Sequence, residues 1–158
     1  MYKIGDRVVY PMHGAGEIIS IEERSILGTT QKYFVLKIPV NDMKIMIPVN
    51  NINEMGVRDI IGKEDADKIY LLFDVFEAEV TVNWNKRYRE NMCKIKSGNI
   101  FEVAEVVKTL MKIDLDKGLS TGEKKMLSSA KQILVSELIF AWNMDKDQIE
   151  EYLKSRCL

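Results

Sequence analysis

The chain has 158 residues, 46% of them hydrophobic and 30% charged, with a formal net charge of −1. That allows one ordinary domain or two small ones with buried cores, and it excludes a disordered or collagen-like chain. A charge so near zero also excludes a globally basic nucleic-acid binder, so any such activity must sit in a local patch.

Residues 1–55 follow the grammar of short strands. RVVYP, GEIISIEE, KYFVLKI and MKIMIPV are rich in Val, Ile, Tyr and Phe and are separated by Gly, Pro, Asn and Asp. ILGTTQ and PVNDM lie between consecutive runs as hairpin connections. Pro39 and Pro48 fall at strand ends, where a missing N–H does least harm. Four or five antiparallel strands in so few residues predict a small, strongly curved β-barrel. HGAG at 13–16 leads into a strand without the Lys and Ser/Thr of a phosphate loop, and so reads as a tight turn.

Beyond residue 57 the apolar period becomes helical. GKEDADKIYLLF predicts a helix with Ile69, Leu72 and Phe73 inward. NWNKRYRENMCKIK predicts a second, with Asn83 as N-cap, Trp84, Tyr88, Met92 and Ile95 along one face, and a stop at the Gly of SGN. Asn99 and Glu102 have capping-box-like spacing ahead of VAEVVKTLMKI, and Ser120 with Glu123 fits the box ahead of KKMLSSAKQILVSELIFAW. A short last helix runs from Asp145 towards Cys157. The fold class expected is α+β: a β module over residues 1–56 and a bundle of about five helices over 57–158.

Catalytic chemistry is hard to assemble from this chain. His13 is its only histidine, which leaves no His-pair metal site and no Ser-His-Asp set. The acids Asp59, Glu64, Asp65, Asp67, Asp74, Glu77 and Glu79 flank helical apolar positions, as solvated faces and helix ends do. Cys93 and Cys157 lack a CxxC partner and read as reduced thiols. No run is apolar enough to span a bilayer and no signal segment is evident, so the expectation is a cytoplasmic protein that is not an enzyme and needs no cofactor or small-molecule substrate.

The charge is unevenly spread. From Asn83 to Lys96 the basic residues Lys86, Arg87, Arg89, Lys94 and Lys96 face one acid, Glu90. Pattern alone leaves Trp84 open between two readings. In one, the Trp84–Tyr88–Met92–Ile95 stripe is ordinary core and the cations are its solvated back. In the other, Trp84 projects from the first helical position among clustered cations, as an apolar wedge for DNA held by phosphate contacts.

Several segments resemble one family. IGDRVVYPMHGAGEI, GVRDIIG, NWNKRYREN, VAEVV and LSTGEKKMLSSAKQILVSEL are similar, in order and over nearly the whole chain, to the CarD/CdnL bacterial transcription regulators. The resemblance implies a Tudor-like β module, shared with the transcription-repair coupling factor, that binds the RNA polymerase β subunit. It implies a helical domain on promoter DNA, with Trp84 wedged into the minor groove at the upstream edge of the melted bubble. Lys86, Arg87, Arg89 and Met92 match its DNA-contacting neighbourhood, while Arg24, Ile26 and Met46 match the polymerase interface. Met46 departs from relatives that carry arginine there. A protein carried on polymerase would be nucleoid-associated. The rival expectation is an interaction adaptor that does not touch DNA.

Overall fold

The computed structural model describes residues 1–77 and 83–157; Glu79, one of the acids counted above, lies outside them. Five strands come first: β1 Arg7–Tyr10, β2 Gly14–Ile26, β3 Thr29–Ile38, β4 Met43–Pro48 and the two-residue β5 Arg58–Asp59. They form one antiparallel sheet in the order β4-β3-β2-β1-β5. Alternation explains its buried side. Leu36 pairs with Ile18, and Phe34 with Ile47, so four apolar side chains share one face and all are essentially inaccessible. The β2–β3 connection is a two-residue hairpin through Leu27 and Gly28, both at positive φ as a type I′ turn requires.

The sheet stays open, where the sequence predicted a curved barrel. Its edges are β4 and β5, and β5 is too short to reach round and close the ring. A helix supplies the missing layer. Helix α4, Thr121–Trp142, packs on the start of β2, where the Ala15 N–H donates to Ser136 Oγ at 2.8 Å. Gly14 makes this approach possible: its φ is +113°, and a Cβ there would lie 2.7 Å from the Ser136 oxygen. The HGAG turn is therefore an inter-layer contact as well as a turn. The His13 ring is exposed and lies tilted against Tyr10.

The remaining helices are α1 Lys63–Val75, α2 Trp84–Lys96, α3 Ile100–Lys117 and α5 Lys146–Arg156, giving the five expected. Ile69 and Phe73 of α1 are fully buried and Leu72 is partly so, as the apolar spacing predicts. Two caps differ from their local signatures. Asn99 caps α3 through the Phe101 N–H, and Ser120 accepts from the Glu123 N–H, but neither following glutamate completes a box. The complete capping box belongs to α5, between Asp145 and Gln148. The helical core and the sheet core are separate clusters, and Val40 packs against both.

Candidate functional site

Helix α2 begins where the Asn83 side chain accepts the Lys86 N–H, and ends at Ser97 with Gly98 beyond it at φ +76°. Burial along its inner face is graded. Ile95 is 3% exposed, Met92 and Tyr88 are partly buried against the helical core, and Trp84 at the first turn is 41% exposed. The stripe is thus core at its C-terminal end and displayed at its N-terminal end.

Trp84 is displayed but not loose. Its Nε1–H donates to Ser120 Oγ at 3.0 Å, its rings stack on Tyr88 at 5.0 Å between centroids, and its benzene edge lies over Gly122. Ser120 is also the N-cap of α4, and the two acceptor lone pairs of a hydroxyl can serve both the indole and the Glu123 N–H. The ring is therefore fixed at the junction of two helix N-termini. Ordering it in advance lowers the entropy lost when it meets a partner.

Arg87 corrects the expected basic patch. Its side chain is only 11% exposed, and its Nε and Nη2 donate to the two carboxylate oxygens of Glu123 at 2.8 and 2.6 Å. Those hydrogen bonds outweigh burial and raise the guanidinium pKa further above its ordinary value. Glu123, itself 1% exposed, spends its carboxylate here instead of closing the capping box on Ser120. Lys94 is likewise drawn to Glu105, at 2.9 Å. The solvent-facing cations of α2 are Lys86, Arg89 and Lys96, with Lys86 loosely paired to Glu90 at 3.9 Å. Ser120 as the partner of Trp84 and Glu123 as the partner of Arg87 are not legible in the sequence, because their spacing is fully explained by local capping.

On the sheet, Arg24, Ile26 and Met46 share one face. Arg24 pairs with Gln31 and Met46 with Val35, and residues 31 and 35 are an even number apart. That separation puts the two rows about 13 Å apart along the strands. Ile26 is 54% and Met46 38% exposed, and Arg24 is exposed while paired to Glu22 at 2.8 Å. Leu27 at the hairpin tip is fully exposed and escaped the sequence reading, which saw only a turn there. Among the described residues no His/Cys/Asp/Glu group is arranged for a metal, and no helix is long and apolar enough to cross a membrane. Both cysteines are free thiols, Cys93 exposed and Cys157 buried.

Comparison with known proteins agrees with this two-part build. The CarD-like/TRCF RID domain profile matches residues 2–61, and the CarD C-terminal domain profile matches residues 68–154. A Bacillus subtilis (strain 168) protein described as "Putative transcription factor YdeB" is 39% identical over 152 residues, covering 96% of this chain and 99% of that one. The solution structure of the 72-residue N-terminal domain of Myxococcus xanthus CarD aligns with 37% of this chain and 79% of its own, at 25% identity and a TM-score of 0.33. Two profiles in the family's order and a relative similar from end to end place the chain in the CarD/CdnL family, a family of transcription regulators and not a class of enzymes.

Proposed function

We propose that this protein binds the RNA polymerase β subunit through its sheet and stabilises the open promoter complex through α2, with Trp84 wedged into the minor groove at the upstream bubble edge. The observation that carries this reading is Trp84 itself: a large aromatic ring, 41% exposed, fixed by Ser120 and Tyr88 beside the outward-facing Lys86 and Arg89. An apolar wedge next to cations suits a deformable base step flanked by phosphates, and it reads shape and melting more than sequence. Met92, two turns along the same face of α2 and half-buried against the helical core, lies on the core side of the wedge.

The sheet face bearing Arg24, Ile26 and Met46, with Leu27 at its tip, is the surface assigned to polymerase. Its exposed apolar side chains suit a protein partner better than DNA. Met46 presents a thioether on the edge strand β4, so contact there would rest on packing and on main-chain pairing. Tethering raises the local concentration of α2 at the bubble, which accommodates a net charge of −1 and a short row of cations.

Trp84→Ala tests the reading. Aromatic stacking on a base is worth about 1–3 kcal/mol, so the gain in open-complex lifetime should fall by about fivefold or more while polymerase binding persists. A folded, polymerase-bound Trp84→Ala protein that still prolongs the open complex would refute the wedge.

A further inference from the structure

The wedge helix is not hung from the sheet by a loose linker, because one guanidinium fastens three elements at once. Arg58, in β5, donates from Nε to the Gly98 carbonyl at 2.9 Å, just past the C-terminal end of α2. From Nη1 it donates to the Asp59 carbonyl at 3.0 Å and to Glu137 Oε2 at 2.8 Å, and from Nη2 to Glu137 Oε1 at 2.8 Å. Glu137, on α4, is fully buried, and its Oε2 also accepts the Ile61 N–H at 2.9 Å. The sheet, the end of α2 and the C-terminal third of α4 thus meet on a single bidentate pair, the geometry that fixes direction as well as distance.

Two further contacts reinforce this joint. Pro11, after β1, lies where a Cβ on Gly98 would come within 3.3 Å of it. One residue before Glu137, Ser136 takes the Ala15 N–H and donates to the Ile133 carbonyl. Helix α2 is consequently anchored to the sheet at one end and, through Trp84 and Arg87, to the N-terminus of α4 at the other.

We propose that Arg58 and Glu137 are positioning residues that hold Trp84 at a set distance and angle from the polymerase-facing sheet, so that docking of the sheet alone aims the wedge. Neither residue touches the wedge or lies on the proposed polymerase face. The functional half of this inference rests on the open-complex reading above; the geometric half does not. A bidentate pair whose carboxylate is buried, with neighbouring hydrogen bonds, serves orientation more than stability, since an apolar pair would fill the same space without fixing direction.

The test uses Arg58→Lys, which keeps the charge but loses the fork, and Glu137→Gln, which keeps the shape but loses the charge. Spin labels on the exposed Cys93 of α2 and on a Lys44→Cys substitution in β4 report the distance between helix and sheet. The parent protein should give one narrow distance distribution, and each variant a broadened or displaced one. In unlabelled proteins the gain in open-complex lifetime should fall roughly three- to tenfold as the wedge's effective concentration drops, with polymerase affinity unchanged. The Trp84 fluorescence in a Trp142→Phe background should also stay unchanged, because the Ser120 cradle is remote from the clamp; a merely destabilised bundle would alter it. Narrow distributions at the parent distance in both variants would overturn the clamp. A broadened distribution with undiminished lifetime would overturn its role in aiming the wedge. If Trp84→Ala also left the lifetime intact, the wedge reading would fail instead, and the distance measurement would still judge the clamp. Should Arg58→Lys not fold, Glu137→Gln alone decides each arm.

Discussion

Glu123→Ala isolates what holds helix α2 against the bundle. The substitution removes a carboxylate that is 1% exposed and leaves the Arg87 guanidinium without its two short acceptors, in a site where only 11% of the side chain reaches water. Breaking a buried pair from one side costs about 3–5 kcal/mol. The lower end, about 3 kcal/mol, applies here because Arg87 lies on a surface helix and can swing towards solvent. Loss of an acid from the first turn of α4 adds about 0.3–1 kcal/mol. Urea unfolding reads the effect directly: for a total of about 3–4 kcal/mol at about 1–3 kcal/mol per molar, the midpoint should fall by roughly 1–4 M. Two comparisons separate pair from place. Glu90→Ala, which removes only a surface partner of Lys86, should cost less than about 1 kcal/mol. Arg87→Met combined with Glu123→Leu should recover most of the loss, since an apolar pair of similar volume is often neutral or better. A Glu123→Ala cost no larger than that of Glu90→Ala would refute the structural assignment of Arg87 and return it to the exposed basic row.

The outward cations give a complementary prediction. Lys86→Ala and Arg89→Ala should each reduce the slope of log affinity against log salt by up to about one on promoter DNA, while Arg87→Ala should lower the unfolding midpoint and leave the slope alone; an altered slope with Arg87→Ala would reverse that division. Lys108 supplies a pH-dependent test. It is 4% exposed, donates to the Phe73 carbonyl, and burial lowers its pKa. A base whose folded pKa lies below its unfolded value of about 10.4 sheds its proton first in the native state, so its penalty is full below the folded pKa and fades as pH rises from there towards the unfolded value. Lys108→Met should therefore gain progressively less over the parent in urea titrations as pH rises towards about 10. The raised pKa values of Tyr2, Tyr70 and Tyr152 destabilise both proteins alike above their unfolded value of about 10, so they cancel in the difference; the buried Cys157 thiol is coupled to Lys108 and would not cancel, so both proteins carry Cys157→Ala. A difference that is constant with pH would show that Lys108 is not the titrating group.

Much of this molecule is legible one segment at a time. Alternating Val, Ile and Phe in KYFVLKI and MKIMIPV specify strands, the three- and four-residue spacing of Ile69 and Phe73 specifies an inward helix face, and Asn83 and Gly98 bound α2. These signals are local because side-chain periodicity and backbone capping act over one or two turns. The same locality misled where partners come from far along the chain. Ser120 and Glu123 spell a capping box, yet the glutamate serves an arginine 36 positions earlier. Strand count suggested a small, strongly curved barrel; a two-residue β5 and the packing of α4 leave that sheet open.

The sequence by itself determined the element types, their order, the uneven charge of α2 and the membership of the family, because each is written in composition, short-range period or ordered motifs. Tertiary structure alone decided which of five adjacent cations face water, and that Trp84 is displayed on a fixed seat. It also decided that Arg58 and Glu137 join the two halves. The physical reason is that the fate of a charge or an aromatic ring depends on what lies opposite it. For Arg87, Trp84 and Arg58 that partner comes from α4, brought across by folding.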